Sequence, residues 1–411
     1  GAAIGSGGKT NDPDLQEAYN QVFRTQLKEV LTKYGQMMEV WFDGSCVIDI
    51  SDIMQQYAHN SVVFQGPHAT IRWPGTESGK LFYPAWNTVR SEDLKTGVST
   101  QVHGYPEGDA WAPLETNTTL YDHYWFWSPR KQEKRKSVDQ LMECYYRSVG
   151  YGSVFLLNAS PDTTGLIPEA DVIRYKEFGD EIERRFKTPV GELSNETGKK
   201  VILKLSEPKK INHIITMEDY REGERIREYK IEGLVNGTWM ELVRGISVGR
   251  KKIDYFDEVE VSAVRLHITR SAARPLIRSL AAYYVEDFKP FKKEEGLRVW
   301  ARPVEVGNWN EAMYSEGKVQ MEIDLSDRIN LPGQYTIEVL HEGEVDVAIE
   351  DPALYYKGTK ALNEFITVSG NKININQTAQ ITERPDIKVS FSIAADAPTR
   401  GNIVFQPASI Y

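Results

Sequence analysis

Three carboxylates stand where chemistry could use them. Asp43 closes the run MMEVWFDG at 37–44, Glu77 sits in IRWPGTESG at 71–79, and Glu115 lies in APLETN at 112–117. The apolar residues Met37, Met38, Val40, Trp41 and Phe42 suit a strand covered on both faces, as in a parallel sheet. A carboxylate fits such a strand only at its end, and in βα folds the carboxyl ends of the strands carry the active site. The same residues also fit a plain turn, with Asp43 capped against Gly44. Glu77 has Arg72 and Trp73 close by in sequence; an arginine favours the ionised carboxylate, whereas aromatic burial raises its pKa. Two carboxylates in unlike surroundings are what glycoside hydrolysis requires, one to attack or assist and one to protonate the leaving oxygen. A loop salt bridge between Arg72 and Glu77 fits the sequence equally well.

Competing chemistries find less support. The chain has no GxSxG elbow, no HExxH and no P-loop. Its seven histidines (59, 68, 103, 123, 213, 267 and 341) are scattered without ligand spacing, and only His68 stands at the end of a predicted strand. Cys46 and Cys144 form no CxxC pair, so a zinc cage is not expected; one disulfide or two buried thiols both remain open. No metal or organic cofactor is implied.

The elements that must position these groups follow the α/β pattern. Asp12 and Pro13 predict the start of a helix over 13–33, with Leu15, Ala18, Tyr19, Val22, Phe23, Leu27, Val30 and Leu31 at helical spacing. A strand at 37–43, a helical segment near 50–58 and a strand at 61–68 continue the alternation. The stretch from about 69 to 136 reads as a long irregular segment rich in Trp, Tyr, Pro and Gly, a length uncommon without function. Ser137 and Gln140 have capping-box spacing before a helix. A strand at 153–162 and a helix at 166–186 close this region. Beyond about 187 the texture becomes period-two, as in KKVILKLSE and REYKIEGLV, which predicts antiparallel sandwiches. The charged stretch FKPFKKEEG at 288–296 reads as a linker to a second β-rich domain.

The chain has 411 residues, enough for two or three domains. Apolar content of 40 % and charged content of 26 % describe a soluble globular protein, and a net charge of −10 argues against nucleic acid as a partner. No run approaches a membrane span. Nine Trp and 21 Tyr are plentiful, clustered in part between 73 and 127, as in YDHYWFWSP. Aromatic faces of this kind line carbohydrate clefts, and they also fill cores. The first ten residues, GAAIGSGGKT, look processed or engineered rather than targeting. Five N-x-S/T sequons, at Asn117, Asn158, Asn195, Asn236 and Asn376, permit a secreted origin.

Four blocks occur together: YGQMMEVWFDG (34–44), GPHATIRWPGTESG (66–79), APLETNTTLYDHYWFW (112–127) and SVGYGSVFLLNASPDTTGLI (148–167). In content and order they resemble the α-L-fucosidases of glycoside hydrolase family 29. Residues 200–285 look like the discoidin-type β-sandwich attached to plant and bacterial members, whereas the last 120 residues or so resemble nothing named. The resemblance implies an α/β plus β protein: a TIM-like (β/α)8-type barrel, incomplete at its N-terminus, over 1–187, then β-sandwiches over 188–287 and 288–411. It implies Asp43 as nucleophile and Glu77 as general acid/base of a retaining hydrolysis of α-1,3/1,4-linked fucose on branched glycans. Trp41, His68, Arg72, Trp73, Glu115 and Trp127 would line the pocket. In the family about three barrel strands precede the WFDG strand; only 42 residues precede Asp43 here. The expectation is therefore either an enzyme whose site a second polypeptide completes or a carbohydrate-binding remnant. A periplasmic or extracellular setting is expected.

Overall fold

The computed structural model describes residues 9–43, 46, 48–91, 102–292, 296–329, 331–377 and 386–410. The helix Pro13–Lys33 begins where Asp12 accepts from the backbone N–H groups of Asp14 and Leu15, with Pro13 in the first turn, where its missing N–H costs nothing. Its Tyr19, Phe23, Leu27 and Leu31 pack on Val40, Ile50, Ile53 and Met54. The strand Glu39–Trp41 follows and pairs in parallel with Val62–Phe64, through the connecting helix Ser51–Tyr57. Parallel bridges then join Phe64 to Ile71 and Arg72 to Leu114, and Glu115–Thr119 pairs in parallel with Val154–Asn158. The helix Val138–Arg147 makes this last crossover, and the capping box of Ser137 and Gln140 forms as its spacing predicts.

Five parallel segments thus lie side by side in chain order. Among the described residues no ladder returns from Val154–Asn158 to Glu39–Trp41, so these segments form an arc. The helix Glu169–Phe186 closes the region, and strands far outnumber helices among the described residues.

A six-stranded antiparallel sheet follows, in the order 238–245, 226–235, 252–271, 200–218, 276–283, 191–197. Its two longest strands slip register between Tyr255 and Val259 and between Val261 and Ala263, and such bulges bend a strand. Ile214, Tyr229, Ile231, Val264, Leu266 and Leu280 share its core. The final region places a six-stranded and a four-stranded sheet over one core that includes Ile337, Ile375, Val389, Phe391 and Phe405.

Polar contacts weld the arc to the middle sheet. Asn87 donates through its backbone N–H and Nδ2 to Glu224, at 3.0 and 2.6 Å. The Tyr83 hydroxyl accepts from the N–H groups of Ile246 and Ser247 and donates to the Ser247 carbonyl. The last region is joined differently, for Phe82 and Val102 of the arc are buried within its core. Arg90 pairs with Asp327 at 2.5 Å, and the Trp300 N–H donates to the Gly75 carbonyl at 2.5 Å. Cys46 and Cys144 are separate buried thiols. Among the described residues no helix is long and apolar enough to cross a membrane.

Candidate active site

The strand Glu115–Thr119, sequence ETNTT, is the hub, and all five residues are buried. A polar strand can be buried only if its side chains find partners. Glu115 Oε1 accepts from Trp41 Nε1 at 2.9 Å, and Asn117 Oδ1 accepts from Trp73 Nε1 at 3.1 Å. Thr116 and Ser153 share a hydroxyl hydrogen bond of 2.7 Å, and Thr119 donates to the Tyr121 carbonyl. Side chains alternate faces along a strand, so Glu115 and Asn117 share a face and fix one tryptophan each. Trp41 is further held by stacking on Phe64, with ring centroids 3.9 Å apart.

Glu39, at the start of the first strand, faces the same carboxylate. Burial, then a hydrogen bond to Glu115 and the charge of Glu115, push the Glu39 carboxyl up to about 8. Two carboxylates can accept but not donate, so the pair is satisfied only when one holds a proton. Glu39 therefore serves as the neutral, donating partner near neutrality.

Asp43 lies two residues past Trp41 at the carboxyl end of this strand, in a turn, and is exposed. Its capping partner in the alternative turn, Gly44, falls outside the described residues. Glu77 lies on the loop that follows Trp73. Its Oε2 accepts from Trp125 Nε1 at 3.1 Å and lies 3.4 Å from His123 Nδ1, so Trp125 and His123 partner it rather than Arg72. The Trp125 carbonyl in turn accepts from Asn158 Nδ2 and Ser160 Oγ, both at 2.9 Å, which ties Glu77 to the end of the last parallel strand. The loop itself is clamped where the Gly79 N–H donates to the Asn117 carbonyl at 3.0 Å.

Trp73 and Glu77 share one wall of a cavity of about 830 Å³ with Thr118 and His123. The structure brings together Trp41 with Glu115, and Trp73 with Glu77. Arg72 is buried below, its Nη2 donating to the Trp86 carbonyl at 2.7 Å. His68 is half-buried, with Nε2 3.4 Å from Ser51 Oγ, and Trp127 is half-buried on the loop past Trp125. Sequence reasoning missed the roles of Glu39, His123, Trp125 and Asn117 beside these residues. The sequon residues Asn117 and Asn158 are spent on Trp73 and Trp125. Chemically, the arrangement offers a carboxyl gripped on one oxygen at a cavity wall and a second, exposed carboxylate at a strand end.

Comparison with known proteins adds a lineage. Residues 5–185 match the family model described as Alpha-L-fucosidase. Alpha-L-fucosidase 1 of Arabidopsis thaliana is 27 % identical over 316 residues, 64 % of this chain and 62 % of that protein. A rice protein provisionally designated alpha-L-fucosidase 1 is 27 % identical over 306 residues, 63 % of this chain and 59 % of that protein. The chain thus spans about three-fifths of the length of these curated relatives. A solved structure from Bacteroides thetaiotaomicron, provisionally designated an alpha-L-fucosidase, is 34 % identical, with a TM-score of 0.63 over 68 % of this chain and 67 % of that one. A protein of like designation from Bacteroides ovatus is 23 % identical with a TM-score of 0.58, a likeness of fold that extends over 96 % of this chain and 72 % of that one.

Proposed function

This chain belongs to the alpha-L-fucosidase family, and we propose that it acts as a glycoside hydrolase releasing terminal L-fucose from branched glycans with retention, with a preference for α-1,3/1,4 linkages. The observation that carries the reading is the contrast between the two acids. Glu77 is held by Trp125 and His123 on Oε2 alone, which leaves Oε1 to carry a proton toward the cavity. Asp43 stands exposed at the carboxyl end of a parallel strand.

In the proposed reaction an Asp43 carboxylate oxygen attacks the anomeric carbon while the bond to the leaving oxygen breaks. Glu77 gives its proton to that oxygen. The resulting carboxylate then takes a proton from water, whose oxygen displaces Asp43 and frees fucose. Trp41, steadied by Glu115 and Phe64, and Trp73, steadied by Asn117, would offer aromatic faces to the sugar, with His68, Arg72 and Trp127 as further pocket residues. On this reading 1–187 belongs to a barrel-type catalytic domain, 188–287 is a discoidin-like module and 288–411 a further β domain. A second polypeptide would extend the arc, and the setting is periplasmic or extracellular.

Fucose release from a Lewis-type trisaccharide tests the proposal. Glu77→Gln is expected to lower kcat by about 10²–10⁴-fold, and Asp43→Ala to abolish turnover. Retained turnover in either variant would refute the assignment. Glycan binding without turnover by the unaltered chain would favour a carbohydrate-binding role instead.

A further inference from the structure

The cavity beside Glu77 has a second wall that belongs to the last region of the chain. Arg298, Trp300 and Gln406 line it opposite Trp73 and Glu77. The family match ends at residue 185, so nothing in it accounts for this wall.

Trp300 is placed to meet a ligand. Its side chain stays 53 % exposed although its neighbours Val299 and Ala301 are buried in the core of the last region. Its ring lies 5.9 Å from that of Trp73 at an interplanar angle of 36°, so the two indoles form a splayed pair open to the cavity. The backbone beneath it is pinned. Its N–H donates to the Gly75 carbonyl, and a Cβ on Gly75 would fall 2.0 Å from the Trp300 carbonyl oxygen, so only glycine permits this approach. The strand Leu297–Arg298 pairs with Ile410 and Ser409, which anchors the segment from the other side. Rigid support of this kind spares a ligand the cost of ordering the wall.

The charges describe the ligand. Lys136 is spent on the Thr119 and Tyr121 carbonyls at 2.7 and 3.0 Å. The carboxylates of Glu77 and Asp122 are balanced by the cations of Lys136 and Arg298, which leaves no marked excess of either sign. Ligand pockets run to about 300–1,000 Å³, and this open cleft measures about 830 Å³. Aromatic faces with a few polar groups suit a neutral saccharide, whose ring faces are apolar and whose edges carry hydroxyls.

We infer that residues 297–301 and 406–408 form the leaving-group subsite, which binds the neutral oligosaccharide from which fucose is cleaved. The inference rests on the assignment of Glu77 as the acid, because the space beyond the proton donor belongs to the departing sugar. The last region thereby selects branched glycans over simple fucosides.

The full chain and its Trp300→Ala and Gln406→Ala variants test this with three probes: the fucosylated trisaccharide, its defucosylated disaccharide and α-L-fucosyl fluoride. Trp300→Ala should weaken disaccharide binding, read by calorimetry, about tenfold or more, and raise KM for the trisaccharide in proportion. Trp300→Phe should restore most of the binding. Turnover of α-L-fucosyl fluoride, whose leaving group is too small to reach Trp300, should stay within about twofold. Disaccharide binding that is absent in the unaltered chain, or unchanged from the unaltered chain in both alanine variants, would overturn the subsite. Should Trp300→Ala fail to fold, Gln406→Ala carries the same comparison with a smaller expected loss. An inactive chain that still binds the disaccharide through Trp300 would refute the catalytic reading and, with it, the leaving-group assignment, while leaving a saccharide site at Trp300.

Discussion

The indole N–H of Trp41 donates to Glu115 Oε1 across 2.9 Å, joining the strand that leads to Asp43 with a strand 74 residues further on. Glu115 is 1 % exposed, so this contact supplies one of the few partners its carboxylate can have. Glu115→Leu should cost about 1–3 kcal/mol in urea unfolding by removing the acceptor, and should lower fucose release by loosening Trp41. Glu115→Gln keeps an acceptor of the same shape and is expected to retain most of the stability. Equal losses in the two variants would show that the hydrogen bond does not hold the tryptophan.

Glu39 should make stability pH-dependent in an unusual direction. Its carboxyl rises from a usual value of 4.5 to about 8 in the fold, so the folded state holds a proton that the unfolded state releases. Its contribution is complete below pH 4.5 and is lost as pH climbs through 8. Glu39→Gln replaces the protonated carboxyl with a permanent donor. Denaturation midpoints measured across this range should fall less steeply in the variant than in the unaltered chain; parallel curves would show that no proton is shared.

The seam between the arc and the middle sheet depends on Glu224, which accepts from both the backbone and the side chain of Asn87. Burial raises its carboxyl to about 7. Glu224→Gln keeps one acceptor but turns an amide NH₂ toward a donor, at a cost of about 1–3 kcal/mol. Guanidinium unfolding should show that loss. An unchanged midpoint would mean that the two carboxylate contacts add nothing to the docking.

Gly75 sits at φ +84°, where a side chain is strained, and its missing Cβ is what lets Trp300 approach. Gly75→Ala should destabilise the chain by more than about 1 kcal/mol and raise amide hydrogen exchange across 297–301. Protection unchanged at those amides would mean that the last region docks without this contact.

Much of the frame was legible in the residues. Asp12 with Pro13 marked one helix, Ser137 with Gln140 another, and the apolar run ending at Asp43 marked a parallel strand. The strand 115–119 was hidden inside a stretch read as irregular, because ETNTT has no apolar period and gains its burial from partners distant in sequence. Trp125 stood in a recognised aromatic cluster, but nothing local showed that its N–H reaches Glu77, 48 residues earlier. Trp300 was invisible as a site residue because its meaning comes from Gly75, in another region of the fold. The resemblance implies a barrel incomplete at its N-terminus, and the described parallel strands form an arc.

The two tryptophans held by Glu115 and Asn117 also act as a register key. Strand pairing between 115–119 and 154–158 is specified only weakly by hydrophobicity, since the first strand has little to bury. A slip of one residue would turn Glu115 and Asn117 to the opposite face. Both indole N–H groups would then face threonines, and the buried Glu115 carboxylate would lose the Trp41 N–H. The polar strand thus admits one alignment, enforced by the penalty attached to every other.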